Sequence, residues 1–135
     1  MTDYPKLLPE ITPLHEPFWE ALRQHEFKLQ KCAGCGRFRY IPTEICQFCH
    51  SLDAEWTAVS GRGEIYTFTI VRRAPTPAYQ EETPYAIVHV TLPEGVRVIS
   101  TLVDCPVEDV RIGMPVELVY DDVTPDWTLF RFRPV

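Results

Sequence analysis

Four of the chain's five cysteines lie within eighteen residues, CAGCGRFRYIPTEICQFC at positions 32–49. They form two Cys-x2-Cys pairs, Cys32 with Cys35 and Cys46 with Cys49, separated by ten residues. No other feature constrains the fold as tightly. Two residues between thiols let one tight turn aim both sulfurs at one ion, and two such turns joined by a short hairpin complete a tetrahedral four-thiolate site. Gly36 follows Cys35 where the turn favours a positive φ, which glycine adopts freely. His50 takes the same place after Cys49, a less comfortable but tolerated choice. Cys32, Cys35, Cys46 and Cys49 are therefore read as ligands of one Zn2+.

Four protein ligands leave the ion no open position, so it cannot activate water and its role is structural. Zinc contributes roughly 10–16 kcal/mol to the folding of a small metallo-domain. That matters here because a module of about thirty residues cannot build a stable core unaided. The same thiolates also suit iron, which leaves an electron carrier as a rival. The loop between the pairs is shorter than in a true rubredoxin and favours zinc. A reversible disulfide is a third use of such pairs. The start, MTDYPKLLPEITP, has no basic segment followed by an apolar one, so a secretory signal is not expected. A cytoplasmic chain keeps its thiols reduced, and there paired Cys-x2-Cys units are metal ligands more often than disulfides. No run of about 18 apolar residues exists, so no membrane span is expected.

At 135 residues the chain is one domain, or one small domain with a satellite. Its net charge of −6 argues against binding nucleic acid by bulk attraction. Lys28, Lys31, Arg37 and Arg39 nevertheless cluster around the first cysteine pair, while Glu108, Asp109, Asp121, Asp122 and Asp126 lie in the second half. A local site for a small anion stays open.

Residues 1–14 are proline-rich and aperiodic and read as an extended arm. HEPFWEALRQHEF follows, with Pro17 suited to a first helical turn and Phe18, Trp19 and Leu22 on one face. Two to three turns are not stable alone, so this stripe must pack on its own domain or on a partner. From Ser60 the pattern changes. GRGEIYTFTIV, YAIVHVTL, VRVISTLVD, PVELVYDD and TLFRFRPV read as five strands, with a Pro93-Glu94-Gly95 turn between the second and third. In the second strand Ala86, Val88, Val90 and Leu92 share one face, and Tyr85, Ile87, His89 and Thr91 the other. CPVEDVRIGM joins the third strand to the fourth, and the long RRAPTPAYQEETP joins the first to the second. The expected fold is mainly β: an arm and short helix over 1–26, a four-cysteine zinc ribbon over 27–56, and a five-stranded OB-fold barrel over 57–135.

A catalytic constellation is missing. Cys105 is a lone thiol, and nothing in the sequence places His89 near it. His15 and His25 flank the short helix as surface positions. The acid pairs Glu81-Glu82, Glu108-Asp109 and Asp121-Asp122 sit in turn-like segments. There is no phosphate-cradling glycine loop, no G-x-S-x-G and no H-E-x-x-H. The remaining candidates bind rather than react. Arg37, Phe38, Arg39 and Tyr40 alternate basic and aromatic between the knuckles, and Arg72 and Arg73 open the long barrel loop. Arginines grip phosphate bidentately and aromatics stack on a base, so these groups could meet the nucleotide part of a ligand. Solvated ribbon residues are the plain alternative.

The order of parts, PFWEAL, LQKCAGCG, IPTEICQFCHS, W…SGRGEIYTFT, PYAIVHVTLPEGVRV and VRIGMPVEL, resembles the acyl-CoA-associated family of OB-fold proteins with a rubredoxin-like zinc ribbon. That family was first catalogued as a domain of unknown function. The resemblance covers nearly the whole chain after about residue 14. It implies a non-catalytic companion of thiolase-superfamily, hydratase or aldolase enzymes acting on CoA thioesters, including those of steroid degradation. Such a companion stabilises its partner in a hetero-oligomer and helps to hold the CoA moiety. The metal ligands carry over to Cys32, Cys35, Cys46 and Cys49. CoA contacts do not carry over residue by residue, so Arg37, Arg72 and Arg73 stand as candidates by chemistry alone. Family members often have Pro-Arg before the third cysteine, whereas this chain has Pro42-Thr43-Glu44. Glu44 would repel a phosphate there. A nucleic-acid-binding ribbon and barrel is the main alternative function.

Overall fold

A computed structural model describes residues 4–135. The first three residues of the expected N-terminal arm lie outside the described residues. A helix α1, Glu16–Arg23, leads into a three-stranded sheet of β1 (Lys28–Cys32), β2 (Phe38–Arg39) and β3 (Ala54–Ala58), in the order β2-β1-β3. Five strands follow: β4 (Arg62–Val71), β5 (Tyr85–Thr91), β6 (Arg97–Leu102), β7 (Pro115–Thr124) and β8 (Trp127–Pro134). They close into a barrel in the order β4-β5-β6-β8-β7, the five-stranded OB arrangement. The fold is mainly β, as the sequence pattern indicates.

α1 ends in a Schellman turn. His25 takes φ 57°, its N–H donates to Leu22 O (2.9 Å), and Glu26 N–H donates to Ala21 O (2.8 Å). The turn reverses the chain into β1. It also sets the His25 ring parallel to Tyr120, with centroids 4.7 Å apart, and against the Asp122 carboxylate at 3.0 Å. Hydrogen bonds from Thr128 first, and then from His25, hold the Asp122 carboxyl below the usual carboxylate range. The helix buries Phe18, Ala21 and Leu22. Phe18 packs on Phe130 of β8 with centroids 6.1 Å apart, and Trp19 packs edge-on against Trp127 at 5.3 Å. Arg23 Nε donates to Asp126 O (3.0 Å) at the β7–β8 turn. The apolar stripe of the helix is thus consumed by its own domain.

β3 pairs with β1 over its whole length, from Cys32 opposite Ala54 to Lys28 opposite Ala58. The alternation read in β5 holds: Ala86, Val88, Val90 and Leu92 are buried. They meet Ile65, Val98, Val116 and Phe132 inside the barrel. Gly63 sits where β4 passes from β5 to β7, opposite Val116. A Cβ on it would come within 2.3 Å of Thr91 O, so only glycine lets these strands approach closely enough to close the barrel. The link between β6 and β7 holds one short 3₁₀ turn, Val107–Asp109.

Ribbon and barrel share one core. Phe18 and Phe27 from the helix and its exit, Tyr40 from the ribbon, and Phe130 from β8 form an aromatic cluster with centroids 5.0–6.3 Å apart. This cluster runs on through Phe132 into the barrel interior. Burial pushes the Tyr40 phenol up to about 12, and its hydroxyl reaches Ile99 O at 3.5 Å. Among the described residues no helix is long and apolar enough to cross a membrane.

Phe130→Ala removes the ring that touches helix, ribbon and barrel together, and a buried phenylalanine deletion costs roughly 3–5 kcal/mol. The expected result in urea is one cooperative transition at lower denaturant, with tryptophan fluorescence and metal release shifting together. Metal release at an unchanged midpoint would show that the ribbon holds itself independently.

Candidate metal centre

The two cysteine turns are near copies of each other. In the first, Cys32 N–H donates to Arg37 O (2.8 Å) and Gly36 N–H to Cys32 O (2.9 Å). In the second, Cys46 N–H donates to Ser51 O (2.9 Å) and His50 N–H to Cys46 O (3.0 Å). Gly36 and His50 both hold positive φ, 77° and 63°, because each turn must reverse within one residue after its second cysteine. β1 delivers Cys32 at its last residue, and β3 begins opposite it. The sheet therefore presents the first knuckle at its tip, and the loop after β2 folds the second knuckle over it.

All four sulfurs lie within 4.8 Å of one another. Cys32 Sγ is 3.5 Å from Cys49 Sγ, and Cys35 Sγ is 3.7 Å from Cys46 Sγ. A tetrahedron with zinc–sulfur bonds of about 2.3 Å has edges of about 3.8 Å. The separations match that figure and are far too long for disulfides. Backbone amides prepare the thiolates. The Cys35 N–H is the main influence on Cys32, whose thiol is drawn down to about 5. Cys46 is lowered by the Cys49 and Phe48 amides, the latter at 3.4 Å from its sulfur. At Cys49 the Ser51 amide lowers the value, but the Cys32 sulfur, burial and the other two sulfurs together raise it to about 11. Four sulfurs this close cannot all ionise without a cation among them. The donor set fits a closed structural zinc site, with chemistry limited to holding the two turns together.

A brace supports this tip. Arg39 is 7% exposed, and its two terminal nitrogens donate to Thr43 O and Ser51 O, both at 3.1 Å. Its Nε makes no hydrogen bond to an N or O atom, and as a side-chain donor toward the Cys32 sulfur it adds the smallest of the depressions at that thiol. Gln30, buried and opposite Arg39 in the β1–β2 register, accepts from Thr43 N–H at 2.8 Å. Arg39 and Tyr40 are thus internal, which corrects the reading of RFRY as a run of ligand-facing residues. The two-residue β2 carries no periodicity from which Arg39's burial could have been read.

Arg37 stays outside, its guanidinium 4.2 Å over the Phe48 ring. Arg72 and Arg73 are exposed just after β4, where Val71 pairs with Tyr85. The ribbon borders Val96 and Arg97 instead, at the other end of β5. Six residue steps of extended chain separate these ends by about 20 Å. One ligand touching Arg37 and the Arg72-Arg73 pair would have to span the barrel wall.

Elsewhere the structure assembles no acid–base–nucleophile set among the described residues. Burial first, and Asp109 second, push the Cys105 thiol up, which makes it a poor nucleophile. His89 faces outward from mid-β5, opposite Ile99. Asp121 binds Arg131 at 2.7 Å, and Glu82 pairs with Lys6. Lys6, Tyr79, Tyr85, Cys105, Tyr120 and Arg131 line an open groove of about 700 Å³ at the barrel end. Its lining comes from distant segments, so it had no signature in the sequence.

Two family models match the chain. One, described as the rubredoxin-like zinc ribbon domain of ChsH2, covers residues 19–55. The other, the C-terminal OB-fold domain of ChsH2, covers residues 56–121. A probable enoyl-CoA hydratase alpha subunit of Thermomonospora curvata is 36% identical over 118 residues, which is 87% of this chain but 36% of that protein. The chain thus spans about a third of that relative's length. A DUF35 domain-containing scaffold protein of Methanocaldococcus jannaschii is 37% identical over 71% of this chain and 68% of its own length. Among solved structures, a chain of the Ltp2-ChsH2(DUF35) aldolase superimposes with a TM-score of 0.84 at 33% identity, covering 94% of this chain and 98% of that one.

Cys46→Ser is expected to cut bound zinc from one equivalent to well below half by elemental analysis and to lower the melting temperature. Full zinc and an unchanged melting temperature in that variant would refute the four-thiolate assignment, and iron in place of zinc would redirect it. Arg39→Met should speed zinc transfer to a chelator on the order of tenfold, in the range seen for groups that support metal ligands. Arg39→Lys should rescue it only in part, because one ammonium nitrogen replaces two spaced guanidinium nitrogens that meet Thr43 O and Ser51 O separately. Chelation kinetics equal to wild type would remove Arg39 from this role.

Proposed function

The chain belongs to the ChsH2 family of rubredoxin-like zinc ribbons joined to an OB-fold domain, and on that footing we propose that it is a non-catalytic accessory subunit of an acyl-CoA enzyme. The partner is a thiolase-superfamily, aldolase or hydratase subunit. The observation that carries the reading is the match to one chain of the Ltp2-ChsH2(DUF35) aldolase, which runs almost end to end in both chains. The naming of relatives as scaffold proteins or enzyme subunits is in keeping with it. So is the chemistry: the metal centre has no open position, and the remaining nucleophile and carboxylates are buried, ion-paired or apart.

In this role Cys32, Cys35, Cys46 and Cys49 hold one structural Zn2+ that fixes the ribbon tip. A cytoplasmic setting, where thiols are kept reduced, suits four cysteine ligands. Arg72 and Arg73, which carry no ion pair among the described residues, are the candidates for phosphate contacts to the CoA moiety. Arg37 serves a different place on the surface. A nucleic-acid role is disfavoured by the net charge of −6 and by the stacking of Arg37 on a ring.

The chain is expected to co-elute with a thiolase-, aldolase- or hydratase-type subunit of its own organism when the two are co-expressed, and to raise that subunit's soluble yield and activity. Recovery as a free monomer with no gain in either would end the reading. In the assembled complex, Arg72→Ala with Arg73→Ala should weaken CoA binding about tenfold by calorimetry, as expected for loss of roughly 1.4 kcal/mol. Unchanged affinity would remove these arginines from the CoA contact.

A further inference from the structure

The stretch between the cysteine pairs ends on a surface that neither the metal centre nor the core uses. Ile41, Ile45 and Phe48 of the ribbon are 56%, 49% and 52% exposed, and Tyr66 and Ile99 of the barrel are 50% and 40% exposed. These residues are contiguous. Ile41, Ile45 and Phe48 wall a groove of about 330 Å³ whose far side is Val96 and Arg97 at the start of β6. Arg97 lies flat on Tyr66, its guanidinium carbon 3.7 Å from the ring centroid. Ile99 stands two residues along on the same outward side of β6, with Val98 turned inward. The Tyr40 hydroxyl, reaching Ile99 O at 3.5 Å, ties the two modules together beneath this face. At the ribbon end Arg37 covers Phe48.

Two arginines laid on aromatic rings among exposed aliphatic side chains have the composition of an interface centre. A contiguous apolar face of this kind on one chain marks a place where something binds. Its charge says what. Arg37, Arg97 and Lys31, the last 5.8 Å from the Phe38 ring, are the cations of the face, and its carboxylates are Glu44 beside Ile45 and Glu64, two residues before Tyr66 and in one cross-strand row with Arg97. A guanidinium over a ring face keeps N–H donors for a bidentate carboxylate. Three cations in a chain of net charge −6 are too few for a phosphate track. Two copies each of that charge repel one another. The complement is a protein surface with an apolar centre and carboxylates at its rim.

We propose that this ribbon–barrel face is where the chain docks on its acyl-CoA enzyme subunit, with Phe48 and Ile99 buried at the centre and Arg37 and Arg97 paired with partner carboxylates. The proposal rests on the accessory-subunit reading and adds the surface to it. The zinc centre then acts at a distance, because it fixes the loop that carries Ile41, Ile45 and Phe48.

The test uses the subunit that co-elutes with the wild-type chain. Phe48→Glu, Ile99→Glu and Arg97→Glu should each weaken its binding at least tenfold in a titration, while zinc content and melting temperature stay at wild-type values. Glu108→Lys, near the opposite end of β6, should bind as wild type does. Should Phe48→Glu lose zinc through its neighbour Cys46, the two barrel variants carry the comparison. A photo-crosslinker at position 99 should capture the enzyme subunit, and one at position 108 should not. Wild-type binding by all three variants would overturn the surface while leaving the accessory role standing. Failure of the wild-type chain to bind any such subunit would overturn both. Sedimentation of the wild type as a dimer and of the variants as monomers, with partner binding unchanged, would assign the face to a second copy and overturn the proposal.

Discussion

The structure depends on the contact of Phe18 and Phe27 with Phe130. The ribbon is about thirty residues of thin, three-stranded sheet, and its own interior amounts to little more than Leu29 and the buried cysteines. Such a sheet cannot exclude water from both faces. At its base the problem is met by borrowing the barrel's core. The Schellman turn at His25 swings Phe27 under the helix, and Phe18 meets Phe27 and Phe130 edge-on while those two pack tilted on each other. Aromatic contacts of this geometry add about 0.5–1.5 kcal/mol each beyond the area they bury. At its tip the problem is met by four thiolates around one ion. The segment between these two fixed ends is held by Arg39 and Gln30, which satisfy the carbonyls and amide of a loop too short to pair with itself.

This division of labour leaves the outer face of the ribbon free. Because metal and core act on the inner side, the exposed side chains of Ile41, Ile45 and Phe48 are left available to a partner. The proposed accessory role gains from that arrangement. A closed zinc site adds rigidity without reactivity, so the chain can shape a partner's surface without competing chemistry. Arg72 and Arg73, just past the end of β4 that pairs with Tyr85, stand about one strand length away. The proposed docking face and the proposed CoA contact are therefore separable by mutation.

Much of this was legible from residue order. The Cys-x2-Cys pairs announce the metal tip because thiolate geometry is local: each turn needs only four or five residues. The β5 alternation announces a barrel wall because side chains on a strand alternate by covalent geometry. Gly61 and Gly63 mark the first barrel strand because Gly61 takes a positive φ before it and close strand approach forbids a Cβ at Gly63. Arg39 was not legible. It looks like Arg37 in sequence, yet one is buried and bridges two carbonyls while the other lies on a ring in solvent. Parity cannot separate them in a strand of two residues, and what decides is the position of Thr43 and Ser51 across the loop.

The sequence by itself determined the metal-binding tip, the short helix, the five strands and the absence of a catalytic motif, since all of these follow from local spacing and period. Tertiary structure alone decided that ribbon and barrel share one aromatic core, that Arg37 and the Arg72-Arg73 pair sit at opposite ends of β5, and that Phe48 and Ile99 lie on one face. Those relations join residues tens of positions apart, and only the closing of the barrel and the packing of the ribbon against it fix the distances between them.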